Sequence, residues 1–265
     1  MSKAIYKPKG KAGEYAEWAC NLYVGCSNNC SYCYCKRGVL GHAMGGPVAT
    51  LKKCFKDWQD ALRVFKKELD MNILELQRSS LFFTFSSDPM IGETAALHWM
   101  CIIEAVKHGV RCQVLTKNGD FPMDPKMGEL FNGVGSKKAL DMVAWGFTLT
   151  GCDELEPGAS PTSRRIEAMA QLHRAGFRTF ASLEPIVVPA KTATVAAAAA
   201  EHCDLFKLGL QSGVPKDYYQ EEDIFEMCER IRLLEVPTYY KNSLTDYLRQ
   251  ERQQPIDIFS IRREE

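Results

Sequence analysis

The chain is 265 residues long, 46% apolar, and carries 33 basic and 33 acidic side chains, so its formal net charge is zero. That is enough to bury a sizeable core, it is typical of one barrel-like α/β domain, and it gives no global signature of a nucleic-acid binder. No stretch approaches the roughly 20 apolar residues of a membrane span, the first residues lack the apolar run of a secretory signal, and 11 scattered cysteines do not read as a disulfide framework. A cytoplasmic location in a reducing compartment is therefore expected.

The charge is unevenly placed. Residues 1–56 hold Lys3, Lys7, Lys9, Lys11, Lys36, Arg37, Lys52, Lys53 and Lys56 against Glu14 and Glu17, a local excess of +7. Such a rim can steer an anion, although a solvated lysine face is the commoner use of such a cluster. Six acidic residues without a basic one run from Asp217 to Glu229, a face that should avoid phosphate.

In chain order, residues 1–15 read as an N-terminal extension and residues 16–25 as a first strand. From its end runs Gly25-Cys26-Ser27-Asn28-Asn29-Cys30-Ser31-Tyr32-Cys33-Tyr34. Three cysteines at C-x3-C-x2-C can turn three thiolates toward one point. A closed iron–sulfur centre takes four thiolates, so this compact triple leaves one iron of a [4Fe-4S] cube open to another ligand. Two plainer readings compete: zinc held by Cys26, Cys30 and Cys33 with Cys35 or His42, though no second C-x2-C follows, or thiols that are simply buried.

Residues 38–47 read as a glycine-rich connection. From Thr50, Leu51, Cys54, Phe55, Trp58, Leu62, Phe65 and Leu69 keep helical spacing, with the aromatics read as core. A second strand at 81–85 leads to Ser86-Ser87-Asp88-Pro89 and a helix over 94–108 closed by Gly109. Further strands are read at 111–116, 142–150, 178–183 and 204–210, with helices at 161–175, 191–202 and 221–235. A short strand at 238–241 and a helix N-capped by Ser243 make up the C-terminal part, residues 236–265. Alternating strands and helices imply a single domain of parallel βα units: an open, partial (βα)6 TIM-type barrel, with ligands at the C-terminal ends of its strands.

The cysteine motif resembles that of the radical S-adenosylmethionine (SAM) superfamily. Within it, residues 6–15, Asn21 to Cys26, Tyr32-Cys33-Tyr34, Ser87-Asp88-Pro89 and Ser182 to Ile186 are similar to the branch of spore photoproduct lyase and its small bacterial and phage relatives. The resemblance implies a [4Fe-4S] cluster on Cys26, Cys30 and Cys33 whose open iron chelates SAM. It also implies reductive cleavage to a 5′-deoxyadenosyl radical, hydrogen abstraction from substrate, and a reductant such as flavodoxin or ferredoxin. By strand-end position, Ser86, Ser87, Asp88, Thr116, Lys117, Thr148 and Glu184 are the SAM-pocket candidates, and the resemblance implies the SAM amino group at Ser86, Ser87 and Asp88, Tyr32 near adenine and Glu184 near ribose or substrate. Each of these can instead serve only to shape a turn.

A return hydrogen would need a thiol or phenol, for which Cys152, Tyr239 and Tyr240 are candidates. An inert turn cysteine and packing tyrosines are the plainer readings. Cys35, close enough to tune a cluster, is expected to point away from it. The basic segment and the lyase likeness favour a nucleic-acid or nucleotide substrate, with lyase or transferase subclass open. A peptide or small metabolite is the alternative substrate, and a zinc-stabilised nucleic-acid-binding module the alternative from another class.

Overall fold

The computed structural model describes residues 4–262 apart from 124, 125 and 216, with backbone alone at 39 and 40. Lys3 lies outside the described residues. Strand β1 (Ile5–Tyr6) pairs antiparallel with β2 (Trp18–Cys20), and β2 opens a parallel series. Strand β3 (Tyr23–Val24) forms a separate antiparallel ribbon with β4 (Thr50–Leu51), and helix α1 (Gly38–Met44) lies between them. Helices α2 (Trp58–Met71) and α3 (Ile73–Arg78) lead to β5 (Leu81–Phe83), and α4 (Ala95–Lys107) to β6 (Cys112–Thr116). Helices α5 (Lys126–Val134) and α6 (Ser136–Met142) precede β7 (Val143–Thr148), and α7 (Thr162–Arg174) precedes β8 (Arg178–Ile186). Then follow α8 (Pro189–Ala199), β9 (Leu205–Leu210), α9 (Glu221–Arg232), β10 (Thr238–Tyr240) and α10 (Asn242–Tyr247).

The main sheet runs β1-β2-β5-β6-β7-β8-β9-β10, parallel from β2 onward. Every residue of β5, β7 and β9 is buried, as expected of parallel strands covered on both faces. The period of two sorts them. Phe82, Ala144, Phe180, Leu205 and Tyr239 join Tyr15 and Ile258 in one apolar cluster inside the barrel, while Leu81, Phe83, Trp145 and Phe206 join the helices in the larger one. Small residues admit large ones: a Cβ on Gly146 would lie 2.1 Å from the Phe180 ring, and one on Gly209 2.8 Å from the Glu184 carboxyl. The same parity carries Thr148, Ser182 and Glu184 to the C-terminal mouth.

A C-terminal turn, Ile258–Ser260, closes the far end. Arg178 Nη1 donates to the carbonyls of Ile258 at 3.1 Å and Ile261 at 2.7 Å, and Arg111 pairs with Asp257 at 3.2 Å. Across the seam, Glu14, from the turn Gly10–Glu14, accepts the Asn242 N–H at 2.7 Å and the Tyr239 hydroxyl at 3.2 Å. The N-terminal segment and the last strand are thereby tied together.

Four sequence expectations are corrected. Residues 16–25 are not one strand: the chain leaves the sheet at Asn21, whose Oδ1 accepts the Phe85 N–H at 2.8 Å. The glycines of 38–47 do not break helix but form α1. Cβ atoms on Gly41 and Gly45 would meet Lys36 O at 2.7 Å and Cys35 O at 2.9 Å, so glycine permits the helix to fold back on the cysteine loop. Helix α2 begins at Trp58, after the N-cap Asp57 accepts the Asp60 N–H at 2.8 Å, which leaves Trp58 48% exposed rather than in the core. Ser243 is not a cap. Lys241 holds that position and the Ser243 hydroxyl accepts the Leu210 N–H at 3.1 Å.

Candidate active site at the cysteine loop

The cysteine loop is held by two carboxylates. Asp88, just past β5, accepts Met90 N–H at 3.0 Å and Thr116 Oγ1–H at 2.6 Å on one oxygen, and Asn28 Nδ2–H at 2.8 Å and Lys117 N–H at 2.7 Å on the other. It thus joins the loop to the ends of β5 and β6. The second is Glu156, completely enclosed, whose oxygens accept from the Tyr32 hydroxyl and from the buried Arg165. Lys117 Nζ stands 3.5 Å away, and Arg165 also donates to the Thr148 carbonyl at 2.6 Å. Burial would raise the Glu156 carboxyl, but the Lys117 and Arg165 charges and the Tyr32 hydrogen bond outweigh it and hold the group below its ordinary value. Gly158 packs so closely on the loop that its Cβ would fall 2.0 Å from Ser27 O.

These anchors set Cys26, Cys30 and Cys33 around a cavity of about 350 Å³. Burial pushes the Cys26 thiol up to about 12 and Cys30 upward, whereas the hydrogen bond from Cys35 brings Cys33 down to about 6. Cys35 does not point away as expected: it lines the same cavity. His42 sits exposed on α1. Among the described residues no three His, Cys, Asp or Glu side chains close tightly enough to share one metal ion.

Tyr32, Ser86, Ser87, Asp88, Thr116, Lys117, Thr148 and Glu184 all line this cavity. Their hydrogen bonds distinguish them. Ser86 Oγ donates to the Tyr23 carbonyl at 2.5 Å, and Asp88 and Thr116 are committed to one another and to backbone. Ser87 Oγ is buried with no protein partner, and so is Gln211 Oε1, on a residue that also belongs to the lining. Glu184 accepts Tyr15 Oη–H at 2.8 Å and Lys241 Nζ–H at 2.7 Å.

The three hydrogen-donor candidates are not brought to the cavity. Cys152 is fully buried away from it, Tyr239 faces the barrel interior toward Glu14, and the Tyr240 N–H is bonded to Gln253. Sequence reasoning missed Tyr15, Glu156 and Arg165. A lone tyrosine in an extension and a charged pair nine residues apart on a loop and a helix carry no local pattern. Only Arg165, on the buried stripe of α7, offered a signal.

Solved structures share the fold. A spore photoproduct lyase variant superposes with a TM-score of 0.61 at 14% identity, over 90% of this chain and 78% of its own. Another lyase variant, with dinucleoside spore photoproduct, gives 0.60 at 15%, over 89% and 78%. SuiB from Streptococcus suis, bound to precursor peptide SuiA, gives 0.50 at 12%, over 73% and 44%.

The chain has the radical SAM fold.

No family model and no curated relative matches the sequence, and at these identities the likeness speaks for the fold alone. In the radical SAM fold of this chain the site chemistry fits the group the fold implies. Three soft thiol donors from one loop share a cavity with two buried polar atoms, Ser87 Oγ and Gln211 Oε1, that lack protein partners.

Proposed function

We propose that the chain is a radical SAM enzyme in which Cys26, Cys30 and Cys33 hold a [4Fe-4S] cluster. The observation that carries the reading is the convergence of all three cysteines, from the one loop that follows β3, on one cavity ringed by strand-end polar groups. When bound, cluster and SAM together supply a 5′-deoxyadenosyl radical for hydrogen abstraction. The protein's part is positional. Asp88 and Glu156 fix the loop, Ser87 offers an unengaged hydroxyl for SAM, and Glu184 sits with Tyr15 and Lys241 on the opposite wall toward ribose or substrate.

Substrate entering this cavity meets cations. Lys11, Lys36, Lys117 and Lys241 belong to the lining, whereas Lys52, Lys53 and Lys56 do not. The anionic-substrate reading thus moves from the latter three to the former four. A nucleotide or nucleic acid is the substrate class this lining supports, and the lyase neighbour with dinucleoside spore photoproduct supports it over the peptide alternative. A protein reductant such as flavodoxin or ferredoxin and a cytoplasmic setting complete the proposal. No helix among the described residues is long and apolar enough to cross a membrane.

The test is spectroscopic. Anaerobic reconstitution should give about four irons and four sulfides per chain, with a reduced-cluster resonance that changes on adding SAM. Zinc in place of iron, or a resonance indifferent to SAM, would contradict the assignment.

A further inference from the structure

The turn Gly10–Glu14 and the tail of the cysteine loop meet at the loop after β9. Lys11 Nζ donates to Ser212 Oγ at 2.8 Å, and Arg37 donates to the Ser212 carbonyl. Residues 175 and 201 positions apart from Ser212 thus bring two cations onto one serine at the cavity mouth. Lys36, next to Arg37, is held by the Asn29 side chain, again a neutral partner. No carboxylate pairs with Lys11, Lys36 or Arg37 among the described residues, while the deeper Lys117 and Lys241 face Glu156 at 3.5 Å and Glu184 at 2.7 Å.

The mouth is therefore the place where positive charge is gathered and left uncompensated. Two cations sharing a serine repel one another, and an oxyanion bound between them relieves that repulsion through charge-assisted hydrogen bonds. The loop is shaped for the purpose. Gly213 has φ +71°, which favours glycine, and a Cβ there would come within 2.8 Å of Arg37 Nη1 and push the guanidinium aside. Gln211, adjacent in the same loop, keeps a buried Oε1 without a donor. A ligand suited to this end of the cavity carries an oxyanion and, nearby, a hydroxyl or N–H donor.

We propose that Lys11, Arg37 and the Gln211-Ser212-Gly213 loop form an oxyanion subsite that takes a phosphate of the substrate, where the tail of the cysteine loop meets the loop after β9. The inference rests on the cavity being the reaction site. It assigns specificity to the N-terminal segment, which would otherwise be a mere strap across the barrel seam.

Calorimetric titration of reconstituted protein at saturating SAM tests it, with inorganic phosphate, glutarate and a nucleoside monophosphate as probes. Phosphate binding should weaken as ionic strength rises. It should fall at least tenfold in Lys11→Gln/Arg37→Gln and severalfold in Gly213→Ala, which keeps both cations. It should be unchanged in Lys52→Gln/Lys53→Gln/Lys56→Gln. Phosphate binding that persists in the double variant, that follows Lys52, Lys53 and Lys56, or that SAM abolishes would overturn the subsite. Phosphate held by Lys11 and Arg37 while the nucleotide binds no tighter than phosphate leaves the subsite standing and sinks the nucleotide reading. Glutarate preferred to phosphate would overturn the assignment to phosphate.

Discussion

Asp88 illustrates how strand-end position finds a residue while its hydrogen bonds describe what it holds. Strand-end position marked it, and its two oxygens accept four protein hydrogen bonds that tie the cysteine loop to the ends of β5 and β6. Asp88→Asn replaces one acceptor with an amide facing donors and should cost about 2–3 kcal/mol, together with much of the bound iron. Unfolding by denaturant and iron analysis check this, and a variant with full iron and wild-type stability would contradict it. Glu156→Gln removes the buried carboxylate of Arg165 and leaves it only the half-exposed Asp153, at 3.0 Å, and should cost about 2–3 kcal/mol at neutral pH. Because the folded carboxyl is held below its ordinary value, its contribution is present above about pH 4.3 and lost as pH falls through the folded value. The gap between wild type and variant should therefore close in acid, which chemical unfolding between pH 3 and 7 measures. That Cys26, Cys30 and Cys33 face one cavity was legible because their spacing is local. Tyr15, Glu156 and Arg165 were not, because their roles exist only once distant segments meet.

At the scale of elements, most strands and helices from β5 onward follow the apolar pattern, since a strand buried on both faces and an amphipathic helix each leave a periodic signature, but α5 (Lys126–Val134) and α6 (Ser136–Met142) were not read from the sequence. Before residue 58 the failures arise where contacts override pattern. There Asn21 ends a strand by bonding Phe85, and the glycines of α1 signal close approach rather than irregularity. The barrel interior hides a further surprise in β9, where Lys207 is fully buried between the Tyr15 and Phe180 rings, at 5.0 and 4.9 Å, with Gln113 Oε1 at 3.1 Å. Burial, assisted by Lys241, lowers it from 10.5 to about 7. The penalty for burying its charge is then complete below about pH 7 and fades as pH rises toward the unfolded value. Relative to Lys207→Met, the wild type should gain stability between pH 7 and 10. Parallel melting curves across that range test the assignment, and a constant difference between the two proteins would refute it.

For the whole molecule, the open (βα) barrel and the location of its site at the strand ends were readable from alternation and from the cysteine loop. How the barrel closes was not. Residues 10–14 bridge to β10 and α10 through Glu14, and they bring Lys11 and Tyr15 into the cavity, so a segment read as an extension supplies part of the wall. The surface charge likewise divides in a way composition cannot show. Of the eight described basic residues up to Lys56, only Lys11 and Lys36 line the cavity. The central claim is that this cavity holds a cluster whose open iron serves SAM. It is tested most directly by quantifying 5′-deoxyadenosine from anaerobically reconstituted protein given SAM and dithionite, beside Cys33→Ala and Asp88→Asn. The account predicts product from the wild type, none from Cys33→Ala, and an amount from Asp88→Asn that falls in step with its iron. Product undiminished in Cys33→Ala, or none from a wild type carrying a full cluster with SAM bound, would contradict it.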